Sequence, residues 1–251
     1  MLNKNYENHT ILSLLDLTSL NDDDNNQAIE KLCNSASTNT YAVASVCIYP
    51  TFIAFAKKHF KEAKQNMKIT TVINFPTGNS NESDVLKELE HALKEGADEI
   101  DMVMPYQQLI NNVNNATAIE NFIKTIKHNC KHNTLKIIIE SGELKTEELI
   151  RLASKVAMNA GANFIKTSTG KVTVNATLTA AKYMLEEIQN TNKHCGFKGA
   201  GGIKTKTEAL AYLNLASNII NEKFVNPKTF RIGASSLLNE LLGTTTNNSN
   251  Y

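Results

Sequence analysis

Short runs of β-branched and apolar residues alternate along this chain with longer stretches in which apolar positions recur every three or four residues. The short runs predict strands at 11–16, 42–48, 69–74, 99–104, 135–140, 164–167, 196–198 and 230–233. Helical patterns fall between them, for example at 82–95, 146–159, 176–189 and 208–221, and a short last helix follows at 237–242. In the third of these, Ala176, Ala180, Tyr183, Met184 and Ile188 share one face. Thr205 and Glu208 stand at capping-box spacing, and Thr146 is followed by two glutamates that suit a helix N-terminus. Gly96 and Gly161 lie just past helical runs, where a left-handed C-cap belongs. Each is followed by Ala and a new strand, in EGADEID and NAGANFIK. Eight strand–helix alternations over 251 residues predict an α/β fold, a TIM (β/α)8 barrel forming a single domain across 1–251. A doubly wound open sheet is the alternative, but no GxGxxG follows the first strand. The tail 243–251, GTTTNNSNY, reads as mobile.

Charge narrows the partners. With 26 Lys+Arg against 25 Asp+Glu, the net charge of +1 leaves no electrostatic footprint for nucleic acid or an anionic membrane. The longest apolar runs fall far short of the ~20 residues that a membrane span needs. The first residues, MLNKNYENHT, lack the apolar core of a signal peptide. Cys33, Cys47, Cys130 and Cys195 form no CxxC pair, which predicts reduced thiols, a cytoplasmic location and no zinc site. His128 and His132 flank Cys130 at a polar helix end, a poor setting for a metal. Lys57, Lys58, Lys61 and Lys64 read as a solvated helical face. No G-x-S-x-G elbow or P-loop is present.

Reactive residues interrupt the apolar runs. They are Asp16, Cys47, Asp101, Lys136, Glu140, Lys166 and Lys198. In a TIM barrel the C-terminal ends of the strands carry the chemistry, and a buried ionisable group is costly unless paired. Asp16 suits a turn cap or a site. Cys47 suits a small buried hydrophobe better than a nucleophile, since no His is placed to activate it. Lys136 and Glu140 suit either a structural ion pair or a catalytic role. Lys166 and Lys198 converge at the mouth, where two cations depress each other's pKa; such a lysine can attack a carbonyl and form a Schiff base. The loops after strands seven and eight hold Gly199, Gly201 and Gly202, then Gly233, Ser235 and Ser236, each leading into a helix. That is the habitual phosphate site of this architecture.

The ordered motifs LLDLT, SVCIYP, NFPTGN, EIDMVMPY, IIIESGEL, FIKTSTGK, GFKGAGGIKT and RIGASSLL resemble those of the 2-deoxyribose-5-phosphate aldolases over residues 12–242. The resemblance implies a metal-free, cofactor-free class I aldolase of TIM-barrel fold, commonly a homodimer. Such enzymes reversibly cleave 2-deoxy-D-ribose 5-phosphate to D-glyceraldehyde 3-phosphate and acetaldehyde in deoxynucleoside breakdown. It further implies that Lys166 is the Schiff-base lysine, Lys198 the cation that lowers its pKa, and Asp101, with a water, the proton-transfer group. Gly170, Lys171, Gly201, Gly202, Gly233, Ser235 and Ser236 would hold phosphate. Asp16 and Lys136 would line the site, Cys47 would be a site-adjacent thiol linked to aldehyde sensitivity, and Tyr251 a tail residue helping to move the enamine proton. Two departures stand out. Gly199 replaces a frequent proline, which predicts a looser loop around Lys198, and Lys204 replaces a common arginine, which predicts a weaker grip on phosphate. Other Schiff-base barrel enzymes, such as transaldolases and lysine-type fructose-bisphosphate aldolases, are the nearest rivals. A non-catalytic sugar-phosphate-binding barrel is the rival from another class.

Overall fold

The computed structural model describes residues 6–191 and 194–243. Eight parallel strands close into a barrel in sequence order. They are β1 (Leu15–Thr18), β2 (Ser45–Ile48), β3 (Ile69–Ile73), β4 (Glu99–Val103), β5 (Thr134–Ile138), β6 (Phe164–Lys166), β7 (Gly196–Ala200) and β8 (Phe230–Ala234), and β1 pairs back to β8. The α-helices are α1 (Asn8–Ser13), α2 (Asn26–Ala36), α3 (Ile53–Glu62), α4 (Glu82–Glu95), α5 (Tyr106–Asn111), α6 (Ala116–Asn129), α7 (Ser141–Leu144), α8 (Glu147–Asn159), α9 (Leu178–Thr191), α10 (Lys206–Ile219) and α11 (Leu237–Leu241).

Parallel strands covered by helices are buried on both faces, so their sequences run almost continuously apolar. Within them a period of two still sorts the residues. On β4, Ile100 and Met102 join the hydrophobic core, while Glu99 and Asp101 alternate with them and reach Arg231 and Lys198 across the barrel. Helix ends follow local chemistry. Thr205 and Glu208 form the reciprocal capping box of α10, and the Thr146 hydroxyl accepts from the Leu149 amide at the start of α8. Gly96 closes α4 at φ 101°, a left-handed conformation that glycine adopts without Cβ strain.

Several boundaries differ from expectation, and three of them bear on the site. Residues 11–14 belong to or cap α1, and the first strand begins only at Leu15. Ile11, Leu14 and Leu15 stand at i, i+3 and i+4, so this apolar run satisfies a helical period as well as a strand. β5 ends at Ile138, and Glu140 turns away in the left-handed region at φ 54°. Gly199 lies inside β7, in register with Ile232, so the expected loosening of the loop does not arise there. Tyr251 and the rest of the tail beyond Gly243 lie outside the described residues.

Candidate active site

Ordinary TIM barrels fill their interior with branched apolar side chains. Here the axis carries charge. Asp16 from β1, Glu99 and Asp101 from β4, Lys136 from β5, Lys198 from β7 and Arg231 from β8 are all buried, as is Lys166 at the end of β6. Burial of so many ions is tolerable only because each meets opposite charge and hydrogen bonds. Arg231 donates to Glu99 at 3.0 Å and to Asp16 at 2.5 Å. Lys136 meets Glu99 at 2.7 Å, Asp101 at 3.0 Å and Asp16 at 3.3 Å. Ser45 donates to Asp16 at 2.8 Å, and Thr70 links Ser45 to the Lys136 ammonium.

Asp101 is the hub at the upper end. Its Oδ2 accepts from Lys166 and from Lys198, each at 2.8 Å. The two lysines are direct register partners on neighbouring strands and converge on Asp101, but Lys198 is fully buried below the cavity and does not reach the mouth as expected. Their mutual effect is not the expected one for Lys198. Burial disfavours its ammonium and Lys136 adds repulsion, but Asp101 and Asp16 outweigh both and raise its pKa. Lys198 therefore stays a cation. Burial pushes Asp101 upward, yet Lys136, Lys166 and Lys198 together hold it well below the usual carboxylate range. Asp16 is likewise lowered, against burial, by Lys136, Lys198 and Arg231. It is a member of the buried ion network and not a turn cap.

Above this network opens a cavity of ≈ 240 Å³. Of the buried cations along the axis, Lys166 alone reaches it. The structure gathers Gly170, Lys171, Gly201, Gly202, Gly233, Ser235 and Ser236 around the cavity, with Thr18, Leu20, Asn21, Thr169 and Lys204. Gly170, Gly201 and Gly202 each sit at φ +87°, which keeps backbone amides uncrowded where the loops bend over the opening. Lys171 pairs with the exposed Asp22 at 3.1 Å, a contact that an incoming anion can replace. Cys47 does not line the cavity. It is buried with Leu20 and Val72, and burial, reinforced by Asp101, raises its thiol pKa despite the opposing charge of Lys198.

Lys136 and Glu140 are not an ion pair. Lys136 points into the axis, whereas Glu140 lies past the strand and accepts from the Thr169 amide. Glu99 and Arg231 were not anticipated from sequence. A signal was available for Glu99, two residues from Asp101 on one strand, whereas Arg231 is marked only by its register with Lys198 in the folded barrel. Among the described residues no cluster of His, Cys, Asp and Glu could hold a metal ion, and no helix is long and apolar enough to cross a membrane.

The sequence profile of the DeoC/LacD family aldolases matches residues 10–243. The chain belongs to this family of aldolases. As an aldolase it is a lyase built on a TIM barrel, and solved structures resemble it over nearly its full length. One is the apo form of a protein from Toxoplasma gondii ME49 provisionally assigned as a deoxyribose-phosphate aldolase: 26% identity, 94% of each chain covered, TM-score 0.88. A protein from Coccidioides immitis with the same provisional assignment shares 26% identity over 94% of this chain and 87% of its own, with TM-score 0.82. The tetrameric deoxyribose phosphate aldolase of Aeropyrum pernix has the same fold at 21% identity, covering 94% of this chain and 92% of its own, with TM-score 0.77.

Proposed function

We propose that this aldolase cleaves 2-deoxy-D-ribose 5-phosphate reversibly to D-glyceraldehyde 3-phosphate and acetaldehyde, with Lys166 as Schiff-base nucleophile, in deoxyribonucleoside catabolism. The observation that carries the reading is the meeting of Lys166 with phosphate-type loops around one small cavity. Lys166 Nζ adds to C1 of the open-chain sugar, and loss of water leaves an iminium that withdraws electrons from the adjacent carbons. The C3 hydroxyl then gives up its proton, the C2–C3 bond breaks, and D-glyceraldehyde 3-phosphate departs. C2 of the remaining enamine takes a proton, and water releases acetaldehyde and the free amine. Asp101, held ionised, supplies the acceptor beside Lys166, working through a water, and the Lys198 ammonium supplies the donor. Asp16 and Lys136 hold that pair in place from below.

Gly170, Lys171, Gly201, Gly202, Gly233, Ser235 and Ser236 serve as the phosphate cradle around the cavity that Lys166 reaches. Binding there is remote from the broken bond and so can be used to orient it. The same reading makes the enzyme a cytoplasmic homodimer acting on small molecules. The four buried free cysteines suit a reducing compartment. The test is borohydride reduction in the presence of acetaldehyde, followed by peptide mapping. The reading expects a two-carbon adduct on Lys166 and none in Lys166→Ala, which loses turnover. Continued turnover with Lys166 unmodified refutes it.

A further inference from the structure

We infer that Glu140 is a positioning residue for the phosphate end of the substrate, acting through the backbone of the loop after β6. This rests on the proposed function. Among the described residues Glu140 is the one buried acid near the cavity that takes no part in the ion network of the barrel axis. It is fully buried, and both carboxylate oxygens face the Thr169 amide, at 3.2 and 3.3 Å. The Thr169 hydroxyl in turn accepts from the Lys171 amide at 3.0 Å. Glu140 therefore holds residue 169, and residue 169 holds residue 171. Thr169, Gly170 and Lys171 all line the cavity, whereas Glu140 does not.

The local backbone supports a positional role. Glu140 adopts φ 54° and ψ 60°, a left-handed conformation unfavourable to a side chain of this kind. Two neighbouring backbone bonds keep it there: the Ile139 amide donates to Lys166 O at 3.0 Å, and the Ser141 amide to Thr167 O at 2.8 Å. These tie the turn after β5 rung by rung to the strand that carries Lys166. The carboxylate is thus delivered to the point where β6 becomes the phosphate loop. Burial raises its pKa, opposed by the Thr169 hydrogen bonds and the charge of Lys166, as befits a group placed for its hydrogen bonds and not for a salt bridge.

Glu140→Gly is the informative variant, because glycine accepts the left-handed conformation and the fold keeps its turn. KM for 2-deoxyribose 5-phosphate should rise about tenfold, the scale of one charge-assisted hydrogen bond. KM for unphosphorylated deoxyribose should change less than about twofold on the same scale. Reductive trapping of acetaldehyde on Lys166 should proceed as in the wild type, which separates failure of this inference from failure of the proposed function. Glu140→Gln keeps one acceptor oxygen and should recover most of the lost affinity. Hydrogen exchange at the Thr169 amide should quicken in the glycine variant and return toward wild type with glutamine. An unchanged KM for the phosphorylated sugar, or an equal rise for both sugars, overturns the assignment.

Discussion

Asp101 offers the sharpest test of how the barrel interior is held together. It is fully buried and accepts from Lys136 at 3.0 Å and from Lys166 and Lys198 at 2.8 Å each. Asp101→Asn preserves size but deletes the charge and turns two amide hydrogens toward ammonium groups. Lys136 and Lys198 retain Asp16, and Lys136 retains Glu99. Among the described residues Lys166 has no other ion pair. Removing one partner of a buried pair costs about 3–5 kcal/mol. For a domain of this size each kcal/mol lowers Tm by about 2–4 °C, so the variant should melt roughly 6–20 °C below the wild type at pH 7. The pH dependence has a definite sign. The folded-state pKa of Asp101 is depressed, so its stabilisation is present above the unfolded carboxylate value and is lost as pH falls through the folded one. The gap between the two proteins should therefore be full at pH 7 and narrow progressively below about pH 4. Thermal unfolding followed by circular dichroism reads this directly. The same variant should slow borohydride trapping at Lys166 by about 100-fold or more, as loss of a proton-transfer group does. A Tm within about 2 °C of wild type at pH 7 would mean that the network is not held by charge.

Other expectations are equally concrete. Gly201→Ala should destabilise more than Gly202→Ala in urea titrations: both residues sit at φ +87°, but a Cβ on Gly201 meets the Asn175 side chain at 2.7 Å, while one on Gly202 meets nothing within 4 Å. Equal losses of about 1 kcal/mol would leave only the backbone strain. Ser236→Asp places a negative charge beside the cavity, so KM should rise more for deoxyribose 5-phosphate than for deoxyribose; equal rises would remove this loop from the phosphate cradle. Cys47, buried and with its thiol pKa raised, should resist iodoacetamide at pH 7.5 in the native protein and react after denaturation. Rapid native alkylation, mapped by mass spectrometry, would contradict that burial.

Much of the site is legible because the barrel imposes strong rules on sequence. A strand covered by helices should be apolar, so Asp101, Lys136, Lys166 and Lys198 announce themselves by type alone, and the loops of Gly201, Gly202 and Gly233 by composition. What escaped depends on relations between strands. Arg231 sits in a short run that reads simply as the start of β8, and its meaning comes from Asp16 and Glu99 across the axis. Glu140 stands four residues after Lys136 and suits an ion pair with it by sequence, but the strand ends between them and Glu140 takes a left-handed conformation. The pKa direction at Lys198 likewise needed the positions of two carboxylates, since the neighbouring lysine alone argues the other way.

A barrel stuffed with ions also constrains its own evolution. The groups proposed to act on the sugar are the ones that occupy the middle of the scaffold, so a lineage exploring new reactions here has to exchange acids and bases in matched sets. Loops at the rim, outside that network of paired charges, are free to diverge one residue at a time.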